Sequence, residues 1–149
     1  MPDLHKDSAE KTYRAIGRFI FEFSQADYTI RHYLAQEINL DEDHFDAIIS
    51  SFDVALLCTV TKEVFNKSRA NSNATAIIEL INKFHVLNAT RVRVAHGLWA
   101  PSKDGGTVFS VPRSNPKLST DANQADALEK HADTARNLRA ELERAFVPH

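Results

Sequence analysis

The chain has 149 residues, 43% of them apolar and 26% charged, with 4 Gly, 5 Pro and a formal net charge of −2. That length suits one domain with a core of its own, so residues 1–149 are expected to form a single domain. Collagen-like, disordered and membrane-spanning classes fall away: Gly and Pro are sparse, and no segment approaches the roughly 20 apolar residues that a bilayer requires.

The start, MPDLHKDSAEK, is acidic and lacks an apolar run, unlike a secretory signal, which makes the cytoplasm the expected location. The one cysteine, Cys58, lies in the apolar run VALLCTV and is expected in the core, where it forms no internal disulfide. Charge is unevenly placed along the chain. Counting Lys and Arg against Asp and Glu, residues 1–81 carry −5, residues 82–117 carry +5 and residues 118–149 carry −2. The positive stretch is either solvated polar surface or a face for phosphate.

Apolar periodicity decides the organisation up to Gly97. Behind Asp7-x-x-Glu10, a capping-box-like start, Tyr13, Ile16, Ile20, Phe23, Ile30 and Leu34 predict a first helix over about 8–38. Asn39-Leu40-Asp41 interrupts the run and can cap a second helix reaching about Lys67, with a stripe of Phe45, Ile48, Ile49, Phe52, Leu56, Val60 and Val64. The polar segment 68–73 predicts a turn. Ile77, Leu80, Ile81, Phe84, Leu87, Val94 and Ala95 then carry a third helix that ends near His96, with Gly97 where a left-handed C-terminal residue belongs.

Trp99, Pro101, Asp104-Gly105-Gly106, Val108, Phe109, Val111 and Pro112 predict two short strands around a glycine turn. From about Thr120 to Phe146 a last helix follows, with a narrow stripe of Leu128, Leu138, Leu142 and Phe146 among alanines. Short connections favour antiparallel neighbours. The expected fold is therefore mainly all-α, an antiparallel four-helix bundle with a β-hairpin insertion between helices three and four.

No Gly-rich phosphate loop, dinucleotide fingerprint, zinc-protease motif or cysteine pair is present. The stretch TRVRVAHGLW, residues 90–99, stands out instead. Arg91 falls in the middle of the third helix's apolar stripe, and a guanidinium placed there needs a carboxylate, a phosphate or a water-filled groove. Arg93 projects to the polar side. A second line on the same helix, Ile78, His85, Val92 and His96, leaves a flank for the hairpin or for a second subunit. Taken alone, His96 is a helix-terminal histidine interacting with the last carbonyls. Asp27 either pairs with Arg31 one turn on or faces inward to hold Arg91.

The run Arg91-Val92-Arg93-Val94-Ala95-His96-Gly97 resembles the R-x(4–6)-H motif of the HEPN superfamily, and Ala95, Gly97 and Trp99 add to the likeness. The order of helices, and Ile16-Gly17-x-x-Ile20-x-x-Phe23-Ser24 as a first helix, are also similar to that family. The resemblance implies a helical bundle that acts as a homodimeric, metal-independent endoribonuclease, without cofactor, with the Arg and His of both subunits around a composite cleft. Carried onto this chain, Arg91 would hold the phosphoryl oxygens and His96 would move the proton. Asn88 and Asp27 would support them, and Lys83, Arg93, Lys103, Arg113 and Lys117 would attract RNA. Trp99 would either stack on a base or anchor the hairpin. Val92 stands where many of these nucleases carry Asn, which leaves a second reading: a non-catalytic binding or dimerisation module with Arg91 and His96 structural. A toxin or phage-defence protein with an antitoxin partner, and no membrane association, completes the expectation.

Overall fold

The computed structural model describes residues 4–100, 102, 105–110, 119–121 and 124–147, and these are mainly helical. In chain order they form α1 (Leu4–Glu37), α2 (Glu42–Ile48), α3 (Val54–Ser68), α4 (Ala74–His96), strands β1 (Leu98–Ala100), β2 (Thr107–Ser110) and β3 (Ser119–Asp121), and α5 (Gln124–Phe146). Because α1 begins at Leu4, Asp7 sits inside the first turn, where its charge suits the helix dipole, and does not open a capping box. Asn39, at φ 54°, ends α1, and the Leu40 amide reaches back to the Ala35 carbonyl at 2.9 Å. This is the left-handed residue that closes a helix, and Asn tolerates it better than most side chains.

The expected second helix is two helices. Asp41 caps α2 by accepting from the His44 amide, and Asp53 caps α3 by accepting from the Leu56 amide at 2.8 Å. Between them, Arg31 of α1 donates to the Ile49 carbonyl at 2.5 Å and to the Phe52 carbonyl at 2.9 Å. These carbonyls have no full helical ladder, so a guanidinium from another element satisfies them. The break resets the helical phase. In α3 the buried positions are Val54, Leu57, Cys58, Thr61 and Phe65, whereas Leu56, which a continuous helix would bury, is 46% exposed.

The core is shared by α1, α3, α4 and α5, and α1 has its most extensive contact with α5. Phe19, Phe23, Ile30 and Leu34 come from α1, Leu57 and Phe65 from α3, Ile77, Ile81 and Phe84 from α4, and Leu128, Leu142 and Phe146 from α5. In α1, Phe19 replaces the expected Tyr13, which is 71% exposed. Ala15 and Ala26 on α1, with Ala125, Ala132 and Ala135 on α5, are buried, so small side chains let these two helices approach closely. Cys58 is fully buried, and desolvation pushes its thiol up to about 11, which keeps it inert.

The strands form an antiparallel sheet in the order β1-β2-β3, with Trp99 opposite Val108 and Phe109 opposite Thr120. The expected hairpin is present as β1 and β2. Thr120 and Asp121, assigned from sequence to the start of the last helix, instead join Ser119 in the third strand, because pairing along β2 satisfies their backbone. Gly97, expected in a left-handed conformation, has φ −74° and ψ 155°, so the chain leaves α4 directly in extended form and enters β1.

Gly106 holds the sheet against the helices. A Cβ there would lie 2.6 Å from Thr12 Cγ2 and 2.8 Å from Trp99 Cε3, and its carbonyl accepts from the Gln124 amide at 2.9 Å. Ser8 Oγ also donates to the Ser102 carbonyl. Gly106→Ala should therefore push the sheet away from α1 at a cost of about 1–3 kcal/mol. Thermal melting checks this, and an unchanged midpoint would show that Thr12 and Trp99 yield freely.

Candidate functional site

The motif lies on the last two turns of α4. Val94, Leu87, Phe84 and Leu80 bury the apolar stripe around Arg91, and the Arg91 side chain is half-buried. Its Nε and Nη2 both donate to Asn88 Oδ1, at 3.2 and 2.9 Å. Its guanidinium carbon lies 5.7 Å from the centre of the Phe23 ring on α1. Phe23 in turn stacks on Phe84 at 4.7 Å. Arg91 is thus positioned by one amide and one aromatic face, and no described carboxylate pairs with it. Its Nη1 makes no hydrogen bond to a described residue.

Asp27 belongs to another cluster. It accepts from Arg31 Nε at 2.8 Å and Nη2 at 3.2 Å, and Arg31 also ties the α2–α3 connection. Of the two expected arrangements, the pair one turn apart is the observed one, partly buried and not on the open surface. Asn88, expected as a supporting amide, does meet Arg91. Asp27 does not.

His96 is exposed and is the last residue of α4. Five positions from Arg91, it lies about 140° around the helix and about 7.5 Å along it. A single chain therefore sends the two side chains in different directions. His85 and Val92, on the same flank as His96, are also exposed, with Val92 at 41%. Within the described residues, the sheet does not cover this flank.

The expected RNA-contacting residues fall into two groups. Lys83 is exposed, and Arg93 is half-buried and not on a freely solvated face. Arg93 is near enough to His131 on α5 that its charge, second to burial, lowers the imidazole's pKa. Lys103, Arg113 and Lys117 lie outside the described residues. Trp99 anchors the hairpin: its Nε1 donates to the Val94 carbonyl at 3.0 Å and its ring meets Gly106.

A recess of about 580 Å³ opens between α4 and α5, bordered by Lys83, Thr90, His131, Asn137 and Glu141 over Leu87 and Leu138. It includes neither Arg91 nor His96. Its α5 wall was not anticipated from the sequence; the only available signal is that Thr134, Asn137 and Glu141 follow one another at three- and four-residue spacing beside the Leu138 stripe. No helix among the described residues is long and apolar enough to cross a membrane.

The fold and site define a mainly α-helical domain with a small antiparallel sheet and a half-buried arginine, one turn from a helix end, that no described carboxylate pairs with. Compared with family models, curated proteins and solved structures, the chain finds no match.

Proposed function

We propose that the chain is a HEPN-like, metal-independent endoribonuclease, with its long helices arranged as an antiparallel four-helix bundle. It would act in the cytoplasm as a homodimer, in the role of a toxin or phage-defence component restrained by an antitoxin partner. The observation that carries this reading is the state of Arg91: half-buried, held by the Asn88 amide and the Phe23 ring, with no described carboxylate to neutralise it. A guanidinium kept in place and left with net positive charge favours an anion, and a phosphodiester matches its planar fork.

In this reaction a ribose 2′-OH loses its proton to a base as its oxygen bonds to the adjacent phosphorus. The bond from phosphorus to the 5′-oxygen breaks, and an acid protonates that oxygen. The products are a 2′,3′-cyclic phosphate and a 5′-hydroxyl, so atoms and charge balance without a metal. The imidazole of His96 suits the proton transfer, and Arg91 Nη1 suits the phosphoryl oxygen on which charge develops. Because the two side chains diverge on one helix, one chain by itself does not turn both to one phosphate, and this reading takes the second group from another copy.

Val92 favours the second reading, a non-catalytic binding or dimerisation module, since it sets an exposed apolar side chain between the two expected catalytic groups. Incubating RNA with the purified protein in EDTA separates them. Cleavage leaving cyclic phosphate ends, reduced about 100-fold or more in His96→Ala, is the expected result. RNA left intact by a folded protein across a panel of substrates would favour the module.

A further inference from the structure

We propose that the outward face of α1 is a second, antiparallel two-fold interface with another copy of this chain. This rests on observations independent of the RNA reading. Tyr13, Phe21 and Tyr28 are 71%, 60% and 60% exposed, and all three lie on the side of α1 opposite its buried Phe19, Phe23 and Ile30. Single exposed apolar side chains are ordinary, but three aromatics in line on one helix form a patch.

Between the rings lie Gly17 and Ser24, both exposed. Nothing among the described residues explains Gly17: a Cβ at that position would meet none of their atoms within 4 Å. Glycine is disfavoured inside a helix, so its presence in a 34-residue helix calls for a neighbour from outside. Ser24 spends its hydroxyl on the Phe21 carbonyl at 2.8 Å, so it too presents a small, satisfied surface.

The arrangement is self-complementary about Phe21. In an antiparallel pair centred there, Phe21 meets Phe21 of the partner subunit, and Gly17 faces the gap between Phe21 of the partner subunit and Tyr28 of the partner subunit. Arg14 lies beside Tyr28 of the partner subunit, a cation against a ring face, and Glu10 lies beside His32 of the partner subunit. Glu10, Arg14 and His32 are exposed, and His32 stacks on Tyr28 of its own chain with centroids 6.1 Å apart. Acid faces base, and cation faces aromatic ring, at both ends of the seam.

The six rings of two copies would take roughly 700–800 Å² from water. A stable interface needs about 1,200–2,000 Å² in total, so the rings supply about half and the flanking Glu10, Arg14 and His32 side chains the remainder. Phe23 and Arg91 meet on the inner side of α1, so a copy seated on its outer face leaves the His96 flank of α4 uncovered. Two distinct two-fold contacts in one chain close a tetramer when their axes cross at right angles and otherwise build a larger assembly.

Sedimentation equilibrium of the full chain tests the proposal, beside Phe21→Glu, Gly17→Leu and Val92→Asp. Phe21→Glu and Gly17→Leu should each weaken one association step at least tenfold. Neither should lower the melting temperature of the dissociated chain, and Gly17→Leu should raise it, because Leu is the better helix former. Val92→Asp tests the composite cleft and should leave the α1 association intact. Mixing Arg14→Cys with Tyr28→Cys chains under mild oxidation should give crosslinks between unlike chains, with Cys58 silent in the core. A wild-type chain that stays monomeric at 100 μM, association untouched by Phe21→Glu and Gly17→Leu, or crosslinks only between like chains would each overturn the proposal.

Discussion

Arg69→Ala should lower stability by about 2–4 kcal/mol, because it breaks a largely buried ion pair and exposes several carbonyls to loss of their partner. Arg69 Nη2 lies 2.9 Å from Glu37 Oε2, with the two side chains 13% and 17% exposed. The same guanidinium donates to the Ala145 carbonyl at 3.2 Å and the Phe146 carbonyl at 2.8 Å, and it lies 5.0 Å from the centre of the Phe65 ring. One residue after α3 thereby ties the end of α1 to the end of α5, whose last carbonyls have no helical donor. Asn73, at the start of α4, donates to the Ala145 carbonyl at 2.5 Å and makes no capping bond of its own. Its side chain serves the clasp.

Thermal melting should show a fall of roughly 6–12 °C for Arg69→Ala. The loss should also depend on pH. The Arg69 hydrogen bonds hold the Glu37 carboxyl below its ordinary value of 4.5, against the opposing effect of burial. A depressed carboxyl contributes stability that is present above pH 4.5 and is lost as pH falls through its folded-state value. The gap between wild type and Arg69→Ala should therefore narrow under acid conditions. A gap that stays constant from pH 7 to pH 3 would assign the effect to the carbonyl contacts and the Phe65 ring alone.

Arg91→Met should separate function from fold. Methionine has a similar length and no charge to desolvate, so stability should be unchanged or rise by up to about 1 kcal/mol. Cleavage of RNA by the same protein should fall about 100-fold or more, since the phosphate loses its fixed cation. Arg91→Lys keeps the charge but not the two bonds to Asn88, and should recover only part of the activity. Denaturant titration beside the cleavage assay reads both effects. A drop in stability above about 2 kcal/mol in Arg91→Met would mark Arg91 as a structural residue and favour the module reading.

The helical character of the chain, the turn at 68–73, the end of α4 at His96 and the hairpin after it were legible because long apolar periodicities and their polar interruptions are local properties. The α4 stripe was read almost whole, with Ala95 alone exposed, since α4 is regular from end to end. The position of Arg91 within that stripe followed from the same periodicity; Asn88 was expected only as a supporting amide, and its two bonds to Arg91 emerge from the structure.

The break between α2 and α3 was not legible. Asp53 is a sufficient cap, but Arg31, 18 and 21 residues away, donates to the Phe52 carbonyl and adds a second bond to the Ile49 carbonyl, which also accepts from the Phe52 amide at 3.2 Å. Once that break shifts the phase, Leu56 turns outward and Val60 and Val64 are left only partly buried against the core. The pairing of Asp27 was likewise undecided by spacing, because two arginines competed for it and the bend at the α2–α3 connection drew Arg31 inward. The sequence by itself determined which segments are helical and which charge sits in an apolar stripe, because those depend on neighbours within one or two turns. Only the tertiary structure decided which carboxylate each arginine meets, which helix face stays open and where the third strand pairs, because those depend on atoms brought together from distant parts of the chain.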